Sequence, residues 1–389
     1  MSISERGQVP PFYAMRVFEA ALARRDAGLP VYFLNAGQPG TPAPSTVLAA
    51  AHRALDTDRI GYTSQLGIPE LRDAVAGHYK HAYGLDVSRA DVVATTGSSG
   101  GFLLAFLAAF DPGDVVVLAR PGYPAYRNVL TALGCRVVEL HCGPETRFQP
   151  TVAALEALPE RPAGLVVASP ANPTGTMVTP DELAAIATWC DANGVRLISD
   201  EIYHGITYSG EPSCAWATSR NAIVVNSFSK YFSMTGWRLG WLLLPAELLD
   251  SVDRLASNFA LCPPTLAQYA AVHAFDAYAE LDANVARYRA NRDLLLRRLP
   301  EIGLDRLAPA DGAFYIYADV SRWTSDSLAF GARLLSETGV AVAPGIDFDT
   351  VDGGKFIRMS FAGDTTEIAT AIDILGEWLA KQPSAIVVR

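Results

Sequence analysis

Lys230 is preceded by Ser227 and Ser229 and followed eight positions on by Arg238, inside the stretch Met234-Thr235-Gly236-Trp237-Arg238-Leu239-Gly240. The run Ala222-Ile223-Val224-Val225 just before it reads as a buried strand, so the lysine falls at a strand end in an apolar setting. Held there, its ammonium group loses a proton more readily, and the free amine is a nucleophile. An arginine among hydroxyls and turn backbone suits a phosphate. Amine and phosphate site together suit a phosphorylated aldehyde, bonded to the amine at one end and anchored by its phosphate at the other.

Three further stretches bear on such a site. Gly97-Ser98-Ser99-Gly100-Gly101 lies between a strand-like run, Val92–Thr96, and the apolar stretch Phe102–Phe110. Free N–H groups, hydroxyls and the positive end of a helix dipole would favour a phosphate there, although a plain tight turn reads the same way. Asp200-Glu201-Ile202-Tyr203 follows the strand Val195–Ile198, at the edge where open α/β sheets bind ligands. Asn172-Pro173-Thr174-Gly175 follows the strand Leu165–Ala168 and by itself is an ordinary Asn-Pro turn. No nucleotide fingerprint of the Gly-x-Gly-x-x-Gly or Gly-Lys-Ser/Thr kind competes with these.

The elements that must position these residues are short β-branched runs alternating with helical stretches. Besides those named, Val115–Leu118 and Leu242–Leu244 read as strands. Continuous apolar strands separated by helices predict a mostly parallel sheet covered on both faces. Thr179-Pro180-Asp181-Glu182 is a capping box with proline at the first helical position, and Pro69 opens another helix. After about residue 265 the sequence predicts one long helix to Leu299 joining two lobes. Strands at Gly312–Tyr317 and Phe356–Phe361 and a C-terminal helix then predict a smaller α+β lobe. The 389 residues, half of them hydrophobic, agree with two lobes, since single cores stop growing near about 250–300 residues.

A net charge of −10 without a basic stripe argues against nucleic acid and anionic membrane as partners. The five cysteines are scattered and form no Cys-x-x-Cys pair, which predicts reduced thiols, a cytoplasmic location and no zinc site. His78 and His81 share a helix face but lack carboxylate or cysteine neighbours, so no metal site is expected. Met1–Met15 shows no apolar core of a targeting segment, and Phe102–Phe110 is about half a membrane span.

The string Ser-x-Ser-Lys-x-x-x-Met-Thr-Gly-Trp-Arg-x-Gly resembles the cofactor-lysine signature of the class I/II pyridoxal-phosphate-dependent aminotransferases, the fold type I, aspartate-aminotransferase-like family. The other motifs resemble that family in its order from about residue 30 to 365. The resemblance implies an α/β fold: a three-layer large domain over 41–279 with a mostly parallel seven-stranded sheet, and a smaller α+β domain from 1–40 and 280–389. It implies pyridoxal 5'-phosphate as cofactor, an amino acid and a 2-oxo acid as substrates, and a homodimer. Lys230 would bond the aldehyde and move the substrate proton. Asp200 would hold the pyridine nitrogen protonated, and Tyr203 and Asn172 would donate to the phenolic oxygen. Tyr123, in Pro121-Gly122-Tyr123-Pro124, would stack on the ring. Ser98, Ser99, Ser227, Ser229 and Arg238 would hold the phosphate, joined by Tyr62 reaching into the neighbouring subunit's site. Arg358 would grip the substrate α-carboxylate, with Asn172 beside it and Gly37 lining the substrate pocket.

Substrate choice is less sharply written. The position matching Ser99 is, in one branch of the family, a lysine that reads a distal carboxylate; here it is serine. With Phe12, Tyr13 and Tyr123 as candidate pocket aromatics, this favours neutral amino acids of the alanine or valine type over aspartate or glutamate. A β-lyase on the same scaffold is the enzymatic alternative. A ligand-sensing regulator built on the same domain would carry an N-terminal DNA-binding module, and here the motif region is entered by about residue 32.

Overall fold

The computed structural model describes residues 3–383; residues 1–2 and 384–389, which the expected smaller domain includes, lie outside them. Seven strands form the central sheet: β1 (Val92–Thr95), β2 (Val115–Arg120), β3 (Arg136–His141), β4 (Gly164–Ala168), β5 (Arg196–Asp200), β6 (Ile223–Ser227) and β7 (Gly240–Leu243). Their order is β1-β7-β6-β5-β4-β2-β3. β7 runs antiparallel to both neighbours, and the other pairings are parallel.

The strands are apolar throughout because both faces are covered, and the pleat sends successive residues to opposite sides. Val116, Leu118, Val166, Ile198, Val225 and Leu242 join one core cluster. Val117, Leu165, Val167, Leu197, Val224 and Leu243 join the other. Three layers follow from that alternation. The capping box forms as expected: Thr179 and Glu182 each accept the other's backbone N–H at the start of the helix Pro180–Asn193. The edge strand β3 adds to the strands expected from sequence. It mixes charge with apolar residues (Arg136, Glu139, His141) instead of forming a continuous apolar run.

Two boundaries differ from the sequence expectation. The long helix expected over 265–299 is broken: a helix Thr265–Ala271 passes into a 3-10 turn, Val272–Asp276, before the helix Tyr278–Glu301 begins. The sequence holds no Gly or Pro breaker there. The turn instead packs on the helices Ser45–Thr57 and Pro69–Tyr83, so tertiary contact overrides local propensity. The strand expected at Gly312–Tyr317 starts only at Tyr315, because Ala313 has φ +56° and the Gly312 N–H is spent on the Gly175 carbonyl.

The smaller domain contains the antiparallel strands β8 (Tyr315–Asp319), β9 (Ala343–Pro344) and β10 (Phe356–Ser360), in the order β9-β10-β8. The N-terminal helix α1 (Tyr13–Asp26) packs on β9 and on the helix Ser327–Thr338, and Tyr32–Phe33 pairs in parallel with Val340–Ala341. Among the described residues no helix is long and apolar enough to cross a membrane.

Strand register decides where the motifs meet. Asp200 on β5 pairs with Ala168 of β4 and with Val225 of β6, so the loops that follow open on one edge of the sheet. Gly240, at the start of the antiparallel β7, faces both Ser227 and Thr95. That brings the segment ending in Arg238 and the helix α2 (Gly97–Ala109) to the same edge. A Cβ at Gly240 would lie 2.8 Å from the Asn226 carbonyl oxygen and 2.9 Å from the Ser98 nitrogen, so only glycine permits this approach.

Candidate active site

A cavity of about 460 Å³ opens at that edge, between the sheet and the smaller domain. Lys230 reaches into it from the loop after β6. Its Nζ donates to the Gly37 carbonyl at 2.6 Å and lies 5.7 Å from the centre of the Tyr203 ring. Burial, followed by the nearby Arg358, brings its pKa down to about 8; Arg238 adds to the fall and Asp200 opposes it. Asp200 ends β5. Burial pushes its carboxyl up to about 6, held back by hydrogen bonds from Tyr126 and from the Ile202 N–H (3.1 Å) and by the charge of Lys230. A carboxylate offers about four lone-pair positions, so Asp200 can still accept from a ligand.

On one side lie Ser98 and Ser99 in the first turn of α2, with Ser229, Thr235 and Arg238 beside them. Thr96 gives α2 no side-chain cap, which leaves its leading N–H groups uncommitted by a cap. The Arg238 guanidinium is steadied by the Thr235 carbonyl at 3.0 Å. Ser227 does not line the cavity. It is buried behind Ser229, its hydroxyl 3.0 Å from both Ser229 Oγ and the Leu239 carbonyl, where it holds the turn.

On the other side Arg358, only 3% exposed, donates from Nη1 to Asn172 Oδ1 (2.9 Å) and from Nη2 to the Asn35 carbonyl (2.7 Å). Its buried Nε has no partner among the described residues, and neither bond goes to a carboxylate. The guanidinium lies over the rings of Tyr315 (4.3 Å) and Phe348 (4.9 Å). The Tyr203 and Tyr315 hydroxyls are 2.6 Å apart.

Of the residues singled out in the sequence, Gly37, Ser98, Ser99, Tyr123, Asn172, Asp200, Tyr203, Ser229, Lys230, Arg238 and Arg358 line this one cavity. Tyr62 stands apart, 84% exposed. Among the candidate pocket aromatics Phe12 and Tyr123 line the cavity and Tyr13 does not. The lining residues that sequence reasoning missed include Met15, Phe18, Tyr126 and Tyr315. Met15 and Phe18 continue from Phe12 at a helical spacing of three, and Tyr126 stands three after Tyr123, so both sets had a periodic signal. Tyr315 had none beyond its strand.

The family described as aminotransferase class I and II matches residues 30–375. The chain belongs to the class I and II aminotransferases. It is 60% identical over 384 residues to the valine–pyruvate aminotransferase of Mycobacterium tuberculosis, covering 98% of this chain and 99% of that one. It is 34% identical over 380 residues to the aspartate/prephenate aminotransferase of Thermus thermophilus, covering 95% and 97%. The fold matches a crystal structure of an aminotransferase from Mycobacterium tuberculosis with TM-score 0.97 and 59% identity, covering 98% and 100% of the two chains. It matches the aspartate aminotransferase from Thermus thermophilus with maleate at TM-score 0.92 and 34% identity, covering 97% and 99%. The expected α/β architecture, with its mostly parallel seven-stranded sheet and smaller domain, is the one these aminotransferases share.

As a class I and II aminotransferase this enzyme uses pyridoxal phosphate and passes an amino group between an amino acid and a 2-oxo acid. The residues present fit that cofactor. The cavity holds a buried amine of lowered pKa, a carboxylate across the floor from it, and donors for an anion at the start of α2 beside Arg238. The Arg358 terminal nitrogens, bonded only to the neutral oxygens of Asn172 and Asn35, fit a second anionic group.

Proposed function

We propose that this aminotransferase acts on small neutral amino acids of the alanine and valine type, with a 2-oxo acid such as pyruvate as acceptor. One observation carries the reading. Among the described residues the cavity is lined by three basic side chains, and the proposed roles take up each: Lys230 for the aldehyde, Arg238 for the phosphate and Arg358 for the α-carboxylate. Among the described residues none is left to read a distal carboxylate, and Phe12, Met15 and Phe18 give the wall an apolar stretch. The relative at 60% identity is named for valine and pyruvate, whereas the aspartate-type relative stands at 34%.

The proposed roles join the site geometry to the family resemblance. Arg358 grips the α-carboxylate with its fork, oriented by Asn172, and thereby fixes the Cα–H bond relative to Lys230. Lys230 anchors the cofactor aldehyde at rest; when free it takes the Cα proton and returns it, first as base and then as acid, a role its lowered pKa suits. Asp200, its charge fixed by Tyr126, keeps the ring nitrogen protonated. Tyr203 and Asn172 donate to the phenolic oxygen, Tyr123 covers one ring face, and Gly37 lines the substrate pocket. Ser98, Ser99, Ser229 and Arg238 hold the phosphate, with Ser227 supporting Ser229. Pyridoxal phosphate itself supplies the electron-withdrawing ring that takes up the electron pair left at Cα.

The working unit in this reading is a homodimer. Ile60 (44% exposed) and Tyr62 stand beside Phe259 (58%) and Leu261 (55%). The two segments are tied by Thr265 Oγ1 donating to the Gly61 carbonyl at 2.6 Å. A second copy covering this apolar patch would bring Tyr62 to the exposed Arg238 of its neighbour. The domain division at 41 and 279, and a cytoplasmic location suggested by five free cysteines, belong to the same proposal.

A half-reaction screen tests the substrate. The enzyme is loaded with cofactor and given single amino acids without an oxo acid. Conversion of the cofactor absorbance to that of its amine form by alanine and valine, far faster than by aspartate or glutamate, is the expected result. Fastest conversion by an acidic amino acid overturns the substrate reading. Persistence of the band while ammonia accumulates overturns amino transfer as the main chemistry.

A further inference from the structure

Tyr315 touches both Arg358 and Tyr203, and no role assigned so far accounts for it. It lies on β8 of the smaller domain, is 1% exposed and lines the cavity. Because Arg358 pairs with Tyr317 and Ser360 with Tyr315, Tyr315 and Arg358 are diagonal neighbours on one face of the β10–β8 ladder. The register therefore stacks the guanidinium on the Tyr315 ring at 4.3 Å. The other end of the side chain crosses the domain boundary, where its hydroxyl is 2.6 Å from that of Tyr203. Gly37 makes room for it: a Cβ there would lie 2.5 Å from the Tyr315 hydroxyl oxygen. The same Gly37 offers its carbonyl to Lys230.

We propose that Tyr315 is a positioning residue that acts on both subsites at once, its hydroxyl through Tyr203 and its ring through Arg358. The inference rests on the reading that places Tyr203 against the cofactor's phenolic oxygen. A hydroxyl has one hydrogen. If Tyr203 gives its own to the phenolic oxygen, its oxygen must accept the hydrogen of Tyr315. The relay Tyr315 to Tyr203 to ligand makes Tyr203 a stronger donor than it would be alone, since each bond polarises the next. Tyr315 also holds Arg358 level with the substrate carboxylate, where Asn172 and the Asn35 carbonyl fix only its two terminal nitrogens.

The titratable and charged groups around the relay are Lys230, Asp200, Tyr123 and Tyr203 from the sheet side and Arg358 from the adjacent strand. Burial raises the pKa of both relay hydroxyls, and Arg358 opposes the rise in each. Both hydroxyls therefore keep their hydrogens through the neutral range.

The test separates hydroxyl from ring. Tyr315→Phe keeps the ring and loses the hydrogen; Tyr315→Leu loses both. The first readout is the pH titration of the resting holoenzyme's cofactor absorbance, which needs no turnover and no knowledge of the substrate. A weaker donor at the phenolic oxygen leaves more negative charge there to hold the neighbouring proton, so the transition moves to higher pH. Tyr315→Phe is expected to raise it by about half a unit and Tyr203→Phe by about one unit, with the double variant no higher than Tyr203→Phe alone. The second readout is KM for the amino acid, expected within about twofold of the parent in Tyr315→Phe and raised about tenfold in Tyr315→Leu. The proposal is overturned if the two Phe variants shift the transition additively, if Tyr315→Phe leaves it unmoved, or if Phe and Leu raise KM alike. An unmoved transition in Tyr203→Phe overturns the placement of Tyr203 as well, whichever amino acid proves to be the substrate.

Discussion

Asp200 and Lys230 enter the cavity from adjacent strands whose register sets the spacing between them, whereas Phe12 and Arg358 enter it from opposite ends of the chain. The sheet wall is set by packing: its side chains follow strand ends buried in two core clusters, and Asp200 also accepts from the Ile202 N–H at 3.1 Å. The facing wall is an assembly of a helix, a two-residue strand pairing and a three-stranded ladder, in which Met15 remains half exposed. The contrast teaches a division of labour. Groups that must not move relative to the reacting atoms are placed by the sheet, and groups that select the substrate are placed where packing tolerates change.

The largest expected effect falls on the sheet wall. Lys230→Ala removes the proton carrier, and kcat/KM should drop by at least about 10³-fold in a steady-state assay. Cofactor should still bind through the α2 corner, visible in its absorbance. On the facing wall, Arg358→Lys keeps the charge but loses the two-pronged geometry. A fall of about 10²-fold in kcat/KM, mostly as raised KM, is expected. A loss confined to kcat would erase the distinction between the walls. Met15→Arg places a cation on the open side of the apolar face; competition assays should show glutamate gaining about tenfold relative to valine.

The smallest effect on catalysis is expected from Glu201, next to Asp200 in sequence but turned into the core. Burial pushes its carboxyl up to about 7 from an ordinary 4.5; its Oε2 has no hydrogen-bond partner among the described residues, and the buried His204 Nδ1 lies 3.6 Å from it. The folded protein therefore holds a proton that the unfolded chain has released between about pH 4.5 and 7, and stability falls as pH rises through that window. Glu201→Gln should flatten the fall, gaining up to about 2–3 kcal/mol at pH 8 in chemical denaturation of the cofactor-free protein. Its kcat/KM should stay within about twofold of the parent.

The same contrast explains what the sequence made readable. Asp200, Asn172 and Lys230 lie in contiguous motifs at strand ends, so their neighbourhood is local and the adjacent residues announce it. Gly37 and Arg358 were reached only through resemblance. Tyr315 and Asn35 acquire their roles only after distant segments close on each other, and nothing adjacent to them in sequence marks the contact. The break in the expected 265–299 helix and the half-buried edge strand β3 were hidden for a related reason: each is decided by what packs against it.

The parallel pairing of Tyr32 with Val340 fixes an order of events during synthesis. Helix α1 and the strand after it emerge from the ribosome first, yet their partners follow roughly 300 residues later. At about 5–20 residues per second the wait is on the order of 15–60 s. Through that interval the sheet can form on its own while Val17, Phe18 and Phe33 stay without their final cover. The wall that selects the substrate is thus also the last to be completed, and the newborn chain must shield the apolar side chains of α1 until the Val340 segment arrives.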